Sequence, residues 1–368
     1  MADFIVSARK YRPQTFSSVV GQEAITTTLK NSILKKQIGQ AFLFCGPRGV
    51  GKTTCARIFA KTINCTNRTP EGEACGECPS CKSFEASASF NIFELDAASN
   101  NGVDEMRKLV EQVRIPPVGV EYKVYIIDEV HMLSTAAFNA FLKTLEEPPA
   151  YAKFIMATTE KHKILPTILS RCQIFDFKRI NIDDIVNHLE SVAEKENLNY
   201  EKEGLYVIAQ KADGGLRDAL SMFDQIASFS NGNITYINVI ENLNVLDSDY
   251  FFKMVDYFAE KDTAQVMLLF NEILEKGFEG SHFLAGLNEH LRNLSMCKNE
   301  STIALLTSVE NTREKYRQQA DKFDLINLIK LLSLFTKTES QYKLSNHKRL
   351  HVEVALMQAC TLDNVRQS

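Results

Sequence analysis

Gly46-Pro47-Arg48-Gly49-Val50-Gly51-Lys52-Thr53 fits G-x-x-x-x-G-K-[ST] at every fixed position. Such residues at such spacing bind phosphate. The glycines let backbone N–H groups curl around phosphate oxygens, and the start of a following helix adds positive potential. Lys52 would neutralise the outer phosphates of a nucleoside triphosphate, and Thr53 would hold Mg2+. A second half lies in KVYIIDEVH, where an apolar strand ends in Asp128-Glu129. Asp128 suits the coordination shell of the Mg2+. Glu129 suits a general base that polarises an attacking water. An exposed acidic turn is the plainer reading of that doublet. It loses because a complete phosphate loop lies upstream, and the pair then points to hydrolysis.

Three further positions gain meaning from their order in the chain. KFIMATT ends in Thr158-Thr159, where a polar side chain would sit near a terminal phosphate and sense it. Strands often end in threonine, so alone this says little. LPTILSRCQIF places Ser170-Arg171 before a last apolar run. A surface arginine is the ordinary reading; the functional one is a finger reaching a neighbouring subunit's nucleotide. GGLRDAL puts Arg217 at the start of a helix, where it would meet the phosphates of its own subunit.

A dozen residues beyond Lys52 the chain reads NCTNRTPEGEACGECPSC, with Cys65, Cys75, Cys78 and Cys81 in the pattern C-x9-C-x2-C-x2-C. Four thiolates suit tetrahedral Zn2+ in a closed, structural site with no open position for catalysis. The loop holds Pro70, Gly72, Gly76 and Pro79 and almost no apolar residues. It cannot fold by burial, so a metal would have to organise it. Glu71, Glu73 and Glu77 offset Arg68 and Lys82, so it is not a basic nucleic-acid patch. The other five cysteines are scattered and read as small buried thiols.

These residues need a scaffold. AFLFC (41–45), NIFEL (91–95), KVYIID (123–128) and KFIMATT (153–159) are short apolar runs separated by helical patterns. That is the form of a parallel sheet in an α/β domain. QIFDF (173–177) is a candidate fifth strand, and residues 25–38 carry helical spacing. Strand signals stop near residue 180. A small all-helical unit runs to about 243, and helices with short polar turns continue to 363 as a bundle. The expected division is 1–179 for nucleotide binding with the cysteine module at 64–82, 180–243 for a helical lid, and 244–368 for a helical collar. A net charge of −4 argues against a protein coated in basic residues. No stretch of eighteen apolar residues spans a membrane. The N-terminal apolar run Phe4-Ile5-Val6 is far short of a signal peptide, so the expectation is cytoplasmic.

The order phosphate loop, cysteine module, DEVH, ATT, SRC and GGLRDA resembles the gamma/tau subunits of the bacterial DNA polymerase III clamp loader, an AAA+ ATPase family. The cysteine module sets that family apart from other AAA+ proteins, and KYRPQTFSSVVGQE looks like its opening segment beside the adenine pocket. The resemblance is strongest over residues 8–225, and the helical tail fits the family's collar. It implies an α/β AAA+ domain, a lid and a collar. It also implies that Gly46, Pro47, Gly49, Gly51, Lys52, Thr53 and Thr54 bind ATP, with Asp128 and Glu129 serving Mg2+ and water. Thr159 would be the first sensor, Arg217 the second, and Arg171 the finger acting in trans. Cys65, Cys75, Cys78 and Cys81 would bind zinc. The implied partners are delta and delta-prime subunits, the beta sliding clamp, primed DNA and further copies of the chain in a pentameric ring at the nucleoid-associated replisome. ATP would open the clamp, and hydrolysis would release it around DNA.

In this family the helix after ELDAASNNG faces DNA. Here Asn100, Asn101 and Gly102 occupy its start, followed by Arg107 and Lys108. Backbone N–H groups there would still hold phosphate. The chain ends shortly after the collar and would lack the further domains of a long tau form. A branch-migration motor is a rival, opposed by the cysteine module and helical tail. A non-hydrolysing scaffold is another, opposed by intact Lys52, Thr53, Asp128 and Glu129. A zinc-dependent nucleic-acid module is opposed by the acidic loop.

Overall fold

A computed structural model of the chain describes residues 5–303, 306 and 310–362. The chain divides into two compact units, Met1–Val192 with Ala209–Gln225, and Ala193–Ile208 with Ile226–Ser368.

In the first unit the apolar runs form β1 (Ala41–Cys45), β2 (Ile92–Asp96), β3 (Lys123–Asp128), β4 (Ala152–Thr158) and β5 (Gln173–Asp176). All pair in parallel, in the order β2-β3-β4-β1-β5. The central strands β1 and β4 are buried along their whole length, and β3 up to Asp128, because both faces are covered. Phe42, Phe44, Ile126 and Ile155 enter a core with Leu29 and Phe59, from the helices Glu23–Leu34 and Lys52–Ile63. The alternate residues Leu43, Tyr125, Ile127, Phe154 and Met156 enter a second core with Met106 and Phe141, from Val103–Val113 and Thr135–Glu146. Each such buried side chain contributes about 1.5–3 kcal/mol, so the sheet is a firm base for its loops. β4 lies between β1 and β3, and Cys45 pairs with Thr158. The loops that leave the carboxyl ends of β1, β3 and β4 are therefore neighbours, where open α/β sheets form their ligand crevice.

QIFDF does supply the fifth strand, hydrogen-bonded to β1. The helix expected over 25–38 starts earlier and stops at Leu34. Lys36 turns left-handed with φ 55°, and Ile38 packs against the core from beyond the helix. Cys45, Cys55 and Cys360 are buried as expected, whereas Cys172 and Cys297 are only half-buried.

The second unit is not wholly helical. Asn199–Tyr200 pairs in parallel with Asn233–Ile234. Two residues per strand are too few to show an alternating pattern, so the ladder left no periodic signal. Beyond it, Ser248–Glu260, Thr263–Glu275, Gly280–Met296, Leu325–Tyr342 and Lys348–Thr361 are the longer helices. They pack Phe258, Phe270, Phe283, Leu287, Phe335 and Leu356 into one core. Asp247 and Asp262 cap the first two, accepting from Asp249 N–H and Gln265 N–H at 3.0 Å each. Among the described residues no helix is long and apolar enough to cross a membrane.

This core holds one titratable group with a measurable consequence. His290 is buried, with Nε2 2.8 Å from Gln319 Oε1 and no partner on Nδ1. The Gln319 amide is committed to Phe252 O and Asp256, so His290 carries its proton on Nε2. Burial lowers its pKa to about 4, against a weaker opposing pull from Gln319 and Asp256. In the unfolded chain it titrates near 6.5, so the unfolded state takes a proton first as pH falls. Stability is expected to be full above about pH 6.5 and to decline toward about pH 4, by on the order of 3 kcal/mol. Denaturant melts across pH check this, and His290→Phe should flatten that part of the profile.

Candidate functional site

The phosphate loop joins β1 to the helix Lys52–Ile63. Gly51 precedes that helix with φ +102°, a conformation that glycine adopts without strain. Gly49, at φ +77°, approaches another loop so closely that a Cβ would lie 3.1 Å from Gly215 Cα. Its carbonyl accepts from Arg217 N–H at 3.4 Å. The phosphate loop and the start of the helix Leu216–Phe229 thus share backbone contact, and Arg217 stands beside the loop.

Lys52 is buried, and its ammonium donates to Gly46 O at 2.8 Å and Pro47 O at 2.6 Å. Burial lowers its pKa, while Glu129 and Asp128 pull the other way. The Thr53 hydroxyl donates to Asp128 Oδ2 at 2.6 Å, and Asp128 Oδ1 accepts from Glu129 N–H at 3.0 Å. A hydroxyl and a carboxylate side by side, from a helix start and a strand end, are oxygen donors suited to Mg2+.

Glu129 is left-handed at φ +46°, uncommon outside glycine. Its Oε2 accepts from the Thr159 hydroxyl at 3.1 Å and from Thr159 N–H at 3.3 Å. Thr159, suggested only by its order in the chain, touches the acidic residue itself. His131 completes this cluster and was not singled out beforehand. Its Nδ1 lies 3.0 Å from Thr158 Oγ1 and 3.4 Å from Glu129 Oε2, and its Nε2 lies 3.1 Å from Glu160 Oε2. Only its place in DEVH could have flagged it, because a single half-buried histidine has no period.

These groups open onto a cleft in the same unit. Its lining combines apolar Tyr11, Val19, Val20 and Leu216 with cationic Arg12, Lys52 and Arg217. Thr53, Thr54, Asp128 and Glu129 also line it. That mixture suits a ligand with a flat apolar end and an anionic end. Arg12 is a further cation that sequence reading passed over within its segment. Burial lowers its pKa, and the nearby Arg57 and Arg217 lower it further, so positive charges converge here. Gly46 and Pro47 do not line the cleft; they receive Lys52.

Arg171 is not brought to this cluster within its own chain. It follows the short helix Pro166–Leu169, pairs with Glu146 at 2.8 Å, and donates to Thr167 O at 2.5 Å. The helix Val103–Val113 carries Asp104 and Glu105 in its first turn, and Arg107 lies 3.4 Å from Asp104. It builds no basic face at its start.

Cys65, Cys75, Cys78 and Cys81 converge, with all four sulfurs within 4.8 Å of one another. Cys65 Sγ lies 3.5 Å from Cys75 Sγ and 4.0 Å from Cys78 Sγ. Sulfurs about 2.3 Å from a tetrahedral zinc lie about 3.8 Å apart, so the four residues fit that ion. Successive amides point at sulfur: Cys75 N–H to Cys65 and Cys78 N–H to Cys75, each at 3.3 Å. Burial raises the pKa of the Cys65 and Cys81 thiols, whereas at Cys78 donors from Cys81 and Thr66 outweigh burial and draw its pKa down to about 6. A thiolate is the form a metal takes. Asn64 anchors the module, donating to Tyr122 O at 2.8 Å and accepting from Tyr122 N–H at 3.1 Å.

Comparison with known proteins gives these features a lineage. The profile of "DNA polymerase III, delta subunit" matches residues 21–181. That of the "DNA polymerase III clamp loader subunit, ATPase lid domain" matches 184–232, and that of "DNA polymerase III subunits gamma and tau domain III" matches 235–367. DNA polymerase III subunit tau of Bacillus subtilis is 41% identical over 96% of this chain and 62% of that protein. DNA polymerase III subunit gamma of Buchnera aphidicola subsp. Schizaphis graminum is 34% identical over 98% of this chain and 99% of that one. The chain therefore spans about three-fifths of the first of these relatives and nearly all of the second. Among solved structures, the Thermotoga maritima RuvB Holliday junction branch migration motor aligns with TM-score 0.47 and 18% identity, over 85% of this chain and 92% of that one. That likeness is too remote to bear on function. The sequence matches run through all the segments that build the cleft and the cysteine module, and the chain belongs to the DNA polymerase III gamma/tau family.

Proposed function

We propose that this chain binds ATP with Mg2+ in the cleft and hydrolyses it as a motor subunit of the bacterial DNA polymerase III clamp loader. The observation that carries this reading is one continuous set of contacts. Thr53 meets Asp128, the backbone of Glu129 meets Asp128, and Glu129 meets Thr159. Lys52 leaves its two carbonyls for the β- and γ-phosphates, and the amides of residues 49–54 cradle them. Thr53 and Asp128 would hold Mg2+, which when bound offsets phosphate charge. Glu129 takes a proton from the water that attacks the γ-phosphorus, and the bond to the bridging oxygen breaks. Thr159 ties Glu129 to the end of β4 and releases it when a γ-phosphate competes for the hydroxyl. Arg217 reads the same phosphates from the lid. The base occupies the apolar lining beside Tyr11 and Val20.

The domains in this reading are 1–179 for nucleotide binding, with a structural zinc module at 64–82, then a lid at 180–243 and a collar at 244–368. The collar joins copies of the chain with delta and delta-prime subunits into a pentameric ring. ATP lets the ring open the beta clamp and grip primed DNA; hydrolysis releases it, in the cytoplasm at the replisome.

Its test is ATP hydrolysis by the chain with delta-type partners, with and without clamp plus primed DNA. Strong joint stimulation supports a clamp-loading motor. Hydrolysis indifferent to both would leave an ATPase of another client. Arg171 supplies a second check. It does not line its own cleft and pairs with Glu146, which supports action on a neighbour, so Arg171→Ala should leave ATP affinity unchanged and slow hydrolysis in the assembled ring by ~10³-fold or more. An equal loss in the isolated chain would contradict the role in trans.

A further inference from the structure

We propose that Glu73, inside the cysteine module, positions the base-side wall of the nucleotide cleft. Metal loading of the module then sets how tightly the chain holds the base. This rests on the ATP reading of the cleft.

Three glutamates occupy the module. Glu71 and Glu77 are exposed, whereas Glu73 is buried. A buried carboxylate needs partners, and those of Glu73 come from the N-terminal segment, 56 and 57 residues earlier for two of them. Its Oε2 accepts from Phe16 N–H at 2.9 Å, and its Oε1 accepts from Ser17 N–H at 3.1 Å. Lys30 Nζ lies 3.2 Å from Oε1 and balances the charge. Phe16 and Ser17 open a single 3-10 turn, Phe16–Ser18, whose first amides have no partner inside it. The Phe16 ring is buried in the core, so side chain and backbone of this point are both held.

What the carboxylate holds matters for the cleft. Tyr11, Arg12 and Pro13 line it on the N-terminal side of the turn, and Val19 and Val20 on the C-terminal side. Glu73 therefore grips the middle of the segment whose two flanks form the wall. Its own placement comes from the module. Glu73 N–H donates to Thr69 Oγ1 at 3.2 Å, and its carbonyl accepts from Thr69 N–H at 3.0 Å. Two residues on, Cys75 N–H donates to the Cys65 sulfur. The loop has little apolar content to hold this turn, so the four sulfurs and their metal hold it. Glu73 is a positioning residue; it reaches the ligand only through residues 11–20.

The decisive experiment compares ATP with inorganic tripolyphosphate, which carries the phosphates but no base. Glu73→Gln keeps all four sulfurs and should retain full zinc. One acceptor is lost where Ser17 N–H and Lys30 need it. Its ATP Kd should rise on the order of 10-fold, while its tripolyphosphate Kd should rise far less, through Arg12 alone among the cleft's cations. Wild-type protein stripped of zinc by a chelator should shift the same way and recover when zinc returns. Wild-type ATP affinity in a zinc-loaded Glu73→Gln protein would overturn the proposal. So would equal losses for ATP and tripolyphosphate, which mean collapse of the whole cleft. Loss of zinc from Glu73→Gln would make Glu73 part of the module's own fold, and would also overturn it. If wild-type protein binds tripolyphosphate and ATP equally, or neither, the ATP reading fails first.

Discussion

Lys52→Ala is expected to abolish ATP binding. The ammonium is buried and held 2.6–2.8 Å from two loop carbonyls. It is poised to exchange them for phosphate oxygens. Hydrogen bonds to charged groups contribute about 1.5–3 kcal/mol each, and two would be lost. The Kd should rise ~10²–10⁴-fold. Titration of a fluorescent ATP analogue reads this directly. A melting curve run alongside separates the loss from unfolding, since Gly46 O and Pro47 O also lose a partner. Unchanged affinity would sink the phosphate-loop assignment and the proposed function with it.

Glu129→Gln should behave in the opposite way toward binding. The amide keeps the side chain's length and still accepts from the Thr159 hydroxyl, so ATP should bind with near wild-type affinity. It cannot take a proton from water. Loss of a general base costs ~10²–10⁴-fold in rate, and single-turnover hydrolysis of prebound ATP in the assembled ring should fall by that much. Near-normal turnover would mean that Glu129 only anchors Thr159, and that the base lies elsewhere. His131, 3.4 Å from the same oxygen, would then be the residue to substitute next.

The two experiments probe links of different reach. Lys52 acts within one loop. Glu129 acts where β3, β4 and the turn holding His131 meet, so its substitution tests the register of the sheet as well as one carboxylate.

Much of this protein is written in its sequence, for a physical reason. The phosphate loop is local: eight consecutive residues carry both the conformational freedom and the charge, so their pattern survives without the fold. The cysteine module is equally local, since four ligands within seventeen residues need only a turn to converge. The central strands are legible because burial on both faces forces unbroken apolar runs. Strands β1 and β3 fall where those runs lie, Ala41–Cys45 and Lys123–Asp128.

Other features depend on residues far apart, and only the tertiary structure decided them. Thr53 and Asp128 are 75 residues apart and meet at 2.6 Å because β3 ends, and the helix after β1 begins, at the same edge of the sheet. The Thr159 contact with Glu129 needs β4 between β1 and β3. The parallel ladder at Asn199–Tyr200 is too short to leave a period. Glu73 reads as one acid among three until the fold buries it against Phe16 and Ser17, 57 and 56 residues away. Local patterns name the chemical groups, because backbone freedom, charge and burial act residue by residue. Partnerships across the sheet are set by strand order, and no short stretch of sequence contains that.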